Sequence, residues 1–448
     1  MKIQTTLSLA AALGLGTNAC LLKDEIEHIN HLKDHGIPET PTHSSKFRKA
    51  DYDPGFTGIP VSTGDRFKNG TVIPRGLSTQ DRDLKSILNG DEIDSALRGL
   101  ATYKGVKMFT APLQTVEKRS MHGIVIGNGE PRVYIEGGIH ARERGGPDHI
   151  VYFLADLLQA RDKGTGLTYG NNSYTNNDVV KALSAGIVTM PLVNPDGVAY
   201  DQKTGYCWRK NRNRKSAEGE WGIGVDLNRN FDAVWNYTKY FSADAETHSS
   251  DIASSETFHG TAAMSEIENQ NIGWLMKQHT KLSWFLDLHS TGGDILYGWG
   301  DDNTQTTDPS QSFTNPAYDG KRGIIGDKEY KEFIEAADIN SQLATAKRMS
   351  HAMGLAGNIS YAPKAEAALY PSSGGSTDYF LSQYYGKKCG ANRVQGLAIE
   401  FGEESGLECP FYPTNAQYHI SMRQVGSGLM ELLLAAAGKE GELKTYKC

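Results

Sequence analysis

No stretch of this 448-residue chain stays apolar for the roughly 20 residues that a helix needs to cross a bilayer, so no membrane span is expected. The N-terminal apolar run from Leu7 to Leu15 is too short. With Lys2 ahead of it and Thr17-Asn18-Ala19 behind it, residues 1–19 read as a secretion signal. The chain also lacks an excess of positive charge. Its 46 Lys and Arg stand against 53 Asp and Glu, a net charge of −7, which leaves no basic face for nucleic acid. Internal repeats are absent, which excludes a solenoid. Cysteine is sparse, with five residues. Cys20 adjoins the expected cleavage point, so a lipid anchor there is the lesser alternative to release from the cell. The other four, Cys207, Cys389, Cys409 and Cys448, make an even number in a secreted chain and imply two disulfides with three possible connectivities. Cys389 and Cys409 flank one apolar strand, which favours that pair and leaves Cys207 for Cys448. Asn69, Asn171, Asn236 and Asn358 each begin an Asn-x-Ser/Thr sequon, as suits a secreted product.

Glycine, by contrast, is plentiful: 49 residues, many at turns between apolar runs, in a chain 38% hydrophobic. That pattern fits a loop-rich α/β protein with ample core. Residues 20–76 are polar and weakly periodic, and read as a leader or linker in which Arg48-Lys49 is a conceivable processing site. One folded domain is expected over 77–438, with a tail at 439–448. Candidate strands are 121–127, 132–137, 186–193, 283–289 and 394–401. Helical spacing marks Asp91 to Tyr103, a run from Pro147, and 264–279, 340–353 and 421–437. Strands alternating with helices predict one α/β domain with a mixed, mostly parallel central sheet covered by helices on both faces. Residues 301–328 read as a long insertion, a lid or a cation site using Asp301 and Asp302.

The chemistry concentrates just after the strands. Gly137-Gly138-Ile139-His140-Ala141-Arg142-Glu143 follows one of them, and His140 and Glu143, three apart, can face one ion. His289 ends a second strand and Glu400 nearly ends a third. Open α/β sheets bind ligands outside the carboxyl ends of their strands. Two His and one Glu with a free fourth position are the ligand set of catalytic zinc. A lone His-x-x-Glu is a weak signal and is usually a surface turn; here an apolar strand and a Gly-Gly turn precede it. His149 and His279 are the nearby competitors, read as a helix residue and a solvated helix cap.

Six further motifs occur in order: Asn194-Pro195-Asp196-Gly197, Trp208-Arg209-Lys210, Gly224 to Phe231, Tyr370, Ser373-Gly374-Gly375-Ser376 with Asp378, and Glu400. Together they resemble the zinc carboxypeptidases of the pancreatic A and B type, from about residue 90 to the C-terminal helix. The resemblance implies a secreted, monomeric exopeptidase that binds one zinc ion through His140, Glu143 and His289 and acts on peptides with a free C-terminus. It implies Glu400 as general base and Arg209 as the group that polarises the scissile carbonyl. Asn228 and Arg229 would bind the terminal carboxylate, Tyr370 would close over the substrate, and Arg142 would line the cleft. Asp226 would support the first zinc histidine. In the basic run from Arg209 to Lys215, Arg212, Arg214 and Lys215 are read as solvated.

The chain departs from the family at Arg144, where an aromatic residue is common, and in longer stretches from His289 to Tyr370 and from Tyr370 to Glu400. The leader is short for a folded inhibitory pro-domain, so no such zymogen control is expected. Thr377 stands at the base of the side-chain pocket, between walls formed by Gly300, Ala398 and Leu296. An apolar or neutral C-terminal residue is then favoured, while Glu366 nearby keeps a basic one open. A wall-peptide peptidase and an inactive peptide-binding relative are the competing readings. The complete carboxylate-binding pair argues against the first, and the complete ligand set and base against the second.

Overall fold

A computed structural model describes residues 21–22, 25–27, 58–78, 83–215 and 222–448. The expected signal at 1–19, Cys20 and the Arg48-Lys49 pair lie outside the described residues. The main sheet has eight strands: β1 (Val106–Thr110), β2 (His122–Ile126), β3 (Val133–Gly137), β4 (Ile187–Met190), β5 (Trp284–His289), β6 (Asp294–Tyr297), β7 (Ala362–Ala365) and β8 (Gln395–Glu400). Their spatial order is β1-β2-β4-β3-β5-β8-β6-β7. The four central strands β4, β3, β5 and β8 run parallel, and antiparallel pairings lie towards both edges. This is the mixed, mostly parallel sheet that the alternation of strands and helices predicts.

Strand alternation sorts the core into two layers. Val133 and Ile135 on β3, Leu286 and Leu288 on β5, and Leu397 and Ile399 on β8 face one layer. That layer is covered by α1 (Gly90–Leu100), α2 (Gly146–Lys163), α3 (Asn176–Leu183), and, beyond a fourth helix α4 (Pro195–Thr204) at the sheet's end, by the later helices α6 (Ala336–Ala356) and α8 (Asn415–Ala436). Tyr134 on β3 and Phe285 on β5 face the other layer, against α5 (Ile267–Gln278) and α7 (Ser376–Tyr385). Asp287 and His289 alternate with Leu286 and Leu288, so the polar residues of β5 share the second face. Glu400 pairs in register with His289 on the neighbouring strand.

The structure differs from the sequence reading at several points. Part of the stretch read as a linker is fixed to the body: Ile59 and Phe67 are buried with Leu88, Val151 and Tyr418, and Arg66 Nε donates to Glu92 Oε1 at 2.8 Å. The disulfides are Cys207–Cys409 and Cys389–Cys448, not the favoured pairs. Cys409 turns back after β8 to pack with Cys207, Phe411 and Tyr412, while the tail crosses the loop after α7 through an Asn392–Thr445 bridge and brings Cys448 to Cys389. Arg212 is buried, stacked 3.6 Å from the Tyr200 ring centroid and 4.5 Å from that of Trp208, whereas Arg214 and Lys215 are exposed. In the insertion, Asp301 and Asp302 are occupied internally, Asp301 beside Arg322 at 3.4 Å and Asp302 accepting from Gly323 N at 2.7 Å. All four sequon asparagines are exposed.

Asp148, in the first turn of α2, is fully enclosed. Burial pushes its carboxyl up to about 7, against the hydrogen bonds from Tyr418 Oη and Leu88 N that pull it down. An unfolded aspartate titrates near ~3.9. Between those values the folded state holds a proton that the unfolded chain has released, so this group's contribution falls as pH rises. The Asp148→Asn variant should therefore gain stability relative to the parent as pH rises from about 4 to about 7, by up to about 1.4 kcal/mol per pH unit. Denaturant unfolding of both proteins across that range reads it, and a pH-independent difference contradicts it.

Candidate active site

The site begins with a tight exit from β3. Gly138 has φ +68°, a left-handed conformation that glycine adopts without strain, and turns the chain sharply into Ile139-His140. Asn194 holds that turn by donating from Nδ2 to Ile139 O at 2.9 Å, and Ala141 N donates to Arg209 O at 3.0 Å. Glu143 Oε1 lies 2.7 Å from His140 Nδ1, and Glu143 Oε2 lies 3.1 Å from His289 Nδ1. The candidate ligand atoms of His140, Glu143 and His289 all fall within 4.8 Å of one another, and among the described residues no other such group of three occurs. All three side chains are buried.

The outer ring nitrogens explain the orientation. His140 Nε2 lies 3.1 Å from Asp226 Oδ1, and His289 Nε2 lies 3.0 Å from Asp287 Oδ2. Carboxylates on the far nitrogens fix both rings with Nδ1 facing inward, the arrangement that supports imidazole ligands. A borderline-soft ion such as zinc fits two imidazoles and one carboxylate. Burial alone would raise the Glu143 carboxyl, yet the two imidazoles hold it well below the usual range.

Asp226 joins this cluster to the next. Burial works against its charge, but Arg209, His140 and Arg229 hold its carboxyl well below the ordinary value. Arg209 Nε and Nη2 donate to Asp226 Oδ2 at 3.1 and 2.9 Å, and Arg209 Nη1 lies 4.0 Å from Glu143 Oε1. Asp226 Oδ1 also accepts from Asn228 N at 3.0 Å, starting the short 3-10 turn Leu227–Arg229. In that turn Arg229 Nε donates to His248 O at 2.8 Å, while its buried Nη2 has no hydrogen-bond partner among the described residues. Gly374, at φ +68°, lets the Ser373–Ser376 turn approach Arg229 closely: a Cβ there would meet Arg229 O at 2.2 Å. Ser376 N donates to Asn228 Oδ1 at 2.8 Å.

A narrow cavity opens on this cluster, lined by Asn228, Arg229, His289, Tyr370, Thr377 and Glu400 among others. Leu296, Ala398 and Glu366 also line it, and Gly300 lies against Glu366. Tyr370 stacks on His248 with ring centroids 4.4 Å apart and sits 5.6 Å from the Arg229 guanidinium. Arg142 is not part of that lining. Its guanidinium is enclosed, donating from Nη1 and Nη2 to Glu25 at 2.5 and 2.8 Å and resting 4.3 Å from the Phe411 ring centroid. His149 is a buried helix residue bonded to Ser421, its pKa lowered by burial to about 3, and His279 ends α5.

Sequence reasoning passes over Asp287 as the partner of His289. Its position two residues earlier on the same strand face is the available signal. Next to it on β3, Glu136 is driven well above the usual carboxylate range by burial and by Asp287 itself. The docking of Glu25 on Arg142 has no periodic or motif signal at all.

Comparisons with known proteins point to one family. A family model described as zinc carboxypeptidase matches residues 95–411. Zinc carboxypeptidase A 1 of Anopheles gambiae is 33% identical over 189 residues, 41% of this chain and 37% of that protein. Carboxypeptidase B of Astacus astacus is 29% identical over 224 residues, 49% of this chain and 66% of that protein. The matched stretches thus span less than two thirds of these relatives. Among solved structures, carboxypeptidase A from Helicoverpa armigera superposes with TM-score 0.56 at 22% identity, covering 79% of this chain and 75% of that one. Thrombin activatable fibrinolysis inhibitor superposes with TM-score 0.57 at 19% identity, covering 83% and 77%. Both show the same fold.

Replacing Asp287 with Asn should weaken zinc binding about 10- to 100-fold while leaving the fold intact. Competition against a chromogenic chelator measures this. An affinity equal to the parent's would remove Asp287 from the account of how His289 is held.

Proposed function

The chain belongs to the zinc carboxypeptidase family, and from that premise we propose that it is a secreted, zinc-dependent exopeptidase hydrolysing the C-terminal peptide bond of peptides and proteins. The observation that carries the reading is the buried Nη2 of Arg229, without a hydrogen-bond partner among the described residues, on a side chain that lines a cavity with His289 and Glu400. A guanidinium can hold a carboxylate through two parallel hydrogen bonds. An exopeptidase needs such a grip, because only the terminal residue carries a free α-carboxylate. Two disulfides suit an oxidising compartment, and among the described residues no helix is long and apolar enough to cross a membrane.

The division of labour follows from position. His140, Glu143 and His289 would hold one zinc ion, which when bound supplies a Lewis acid and lowers the pKa of water from 15.7 to about 7. Glu400, at the carboxyl end of β8 beside His289, would take the proton from the attacking water and deliver it to the leaving amine. Arg209, fixed by Asp226, carries a permanent positive charge for the oxyanion that develops on the scissile carbonyl. Arg229 and Asn228 would set the register by gripping the terminal carboxylate. Tyr370, on the segment before the Gly374-Gly375 turn and stacked on His248, would shield the bound residue from water. The Arg142 guanidinium, held by Glu25, would act only once that carboxylate is displaced.

Glu400→Gln removes the proton acceptor without changing the size of the side chain. It should lower kcat about 10²- to 10⁴-fold with zinc content unchanged. Steady-state hydrolysis of a short peptide with metal analysis of the same sample reads both quantities. Activity within tenfold of the parent would sink Glu400 as the base.

A further inference from the structure

The specificity end of the cavity is acidic from an unexpected element. Thr377, the residue at its base, is neutral, but Thr377 Oγ1 donates to Glu366 Oε2 at 2.6 Å. Glu366 lies on the 3-10 turn Glu366–Ala368, between β7 and Tyr370, and is half-buried at the cavity wall. Two residues without a Cβ make room for it. A Cβ on Gly300 would lie 3.0 Å from Glu366 Oε1, and one on Gly375 would lie 3.9 Å away. Leu296 and Ala398 supply apolar wall on the approach.

The geometry points to Glu366 as the residue that selects a basic C-terminal side chain, Lys or Arg, an inference that rests on the carboxypeptidase reading. Among the described residues Glu366 makes no ion pair. Of the nearby cations, Arg229 stands at the carboxylate grip, and Arg322 lies 3.4 Å from Asp301 and 3.3 Å from Glu332. Asp378, whose carboxyl accepts from Gly300 N at 2.9 Å, lies next to Gly300 as well. Burial pushes the Glu366 carboxyl up, against the pull of the Thr377 hydrogen bond. Burial, Asp301 and Glu366 push Asp378 up further. A neutral C-terminal side chain would cover this carboxylate without a counter-ion, which is unfavourable. An ammonium or guanidinium group arriving along Leu296 and Ala398 would neutralise it, with the aliphatic stem against the apolar wall. The apolar or neutral preference suggested by Thr377 alone is thereby reversed: the charge comes from Glu366, eleven residues earlier in the chain.

Peptides identical except for a terminal Arg, Lys, Leu or Phe test this, together with Glu366→Gln and Glu366→Asp. The parent should release Arg and Lys about 100-fold faster than Leu in kcat/KM, Glu366→Gln should collapse the Arg-to-Leu ratio by about 100-fold, and Glu366→Asp should retain part of it. A parent that prefers Leu or Phe, or a ratio unchanged in Glu366→Gln, overturns the assignment. Calorimetric titration of the zinc-loaded protein with free L-arginine and L-leucine separates the two readings. If no peptide is hydrolysed but arginine binds in preference to leucine and Glu366→Gln abolishes that preference, the exopeptidase reading fails and the pocket assignment stands. Equal binding of both amino acids overturns the pocket assignment whatever the turnover.

Discussion

One buried carboxylate ties the site together. Asp226 orients His140 through Oδ1, anchors Arg209 through Oδ2, and starts the turn that presents Asn228 and Arg229. Three roles that lie apart in the proposed reaction, metal ligation, oxyanion stabilisation and recognition of the chain end, therefore share one fixed reference point. Such a carboxylate is tolerable inside the protein only because cations surround it, and those cations are tolerable only because of it. Breaking a buried pair of this kind typically costs about 3–5 kcal/mol, since the remaining charge is left uncompensated. The cluster is thus a rigid unit set on the carboxyl ends of parallel strands. The sheet supplies the remaining placement by pairing Glu400 with His289 across β8 and β5.

The charge distribution across the cavity is uneven in a way that suits a zwitterionic guest. Arg229 lines one part of it and Glu366 another. A terminal residue offering a carboxylate in one direction and a cation in the other would meet both. The insertion read from sequence as a lid or ion site reaches this region through its charges. Its Asp301 raises the pKa of Asp378, and Arg322, from the same insertion, lies 3.4 Å from Asp301.

Much of this arrangement is legible in the amino-acid sequence. Strands β2, β3, β4, β5 and β8 are short apolar runs followed by Gly or chemically loaded residues, and the residues of the site follow them directly. Strands β1, β6 and β7 are not legible in that way. β7 contains Ala362, Pro363 and Lys364 and is largely unburied, so it carries no apolar signature; pairing with β6 defines it. α3, α4 and α7 are hidden for related reasons: α3 has only two buried residues, and α4 and α7 open on Asn-Pro and Gly-Ser sequences that resemble loops. The disulfide pairing departs from expectation because proximity along one strand is a local criterion, while the return of the tail past Asn392 is a long-range event. Arg212 reads as solvated because basic runs usually are, yet Tyr200 and Trp208 form an aromatic slot that only the tertiary structure assembles.

The central claim is that the cluster around Asp226 serves hydrolysis at a free chain end. Its most direct test is mass spectrometry of a peptide library offered with free and with amidated C-termini, in the presence and absence of a zinc chelator. The account predicts stepwise loss of single residues from free termini alone, abolished by the chelator and restored by zinc. Cleavage of amidated peptides at the same rate, or no cleavage by protein shown to carry zinc, would contradict it.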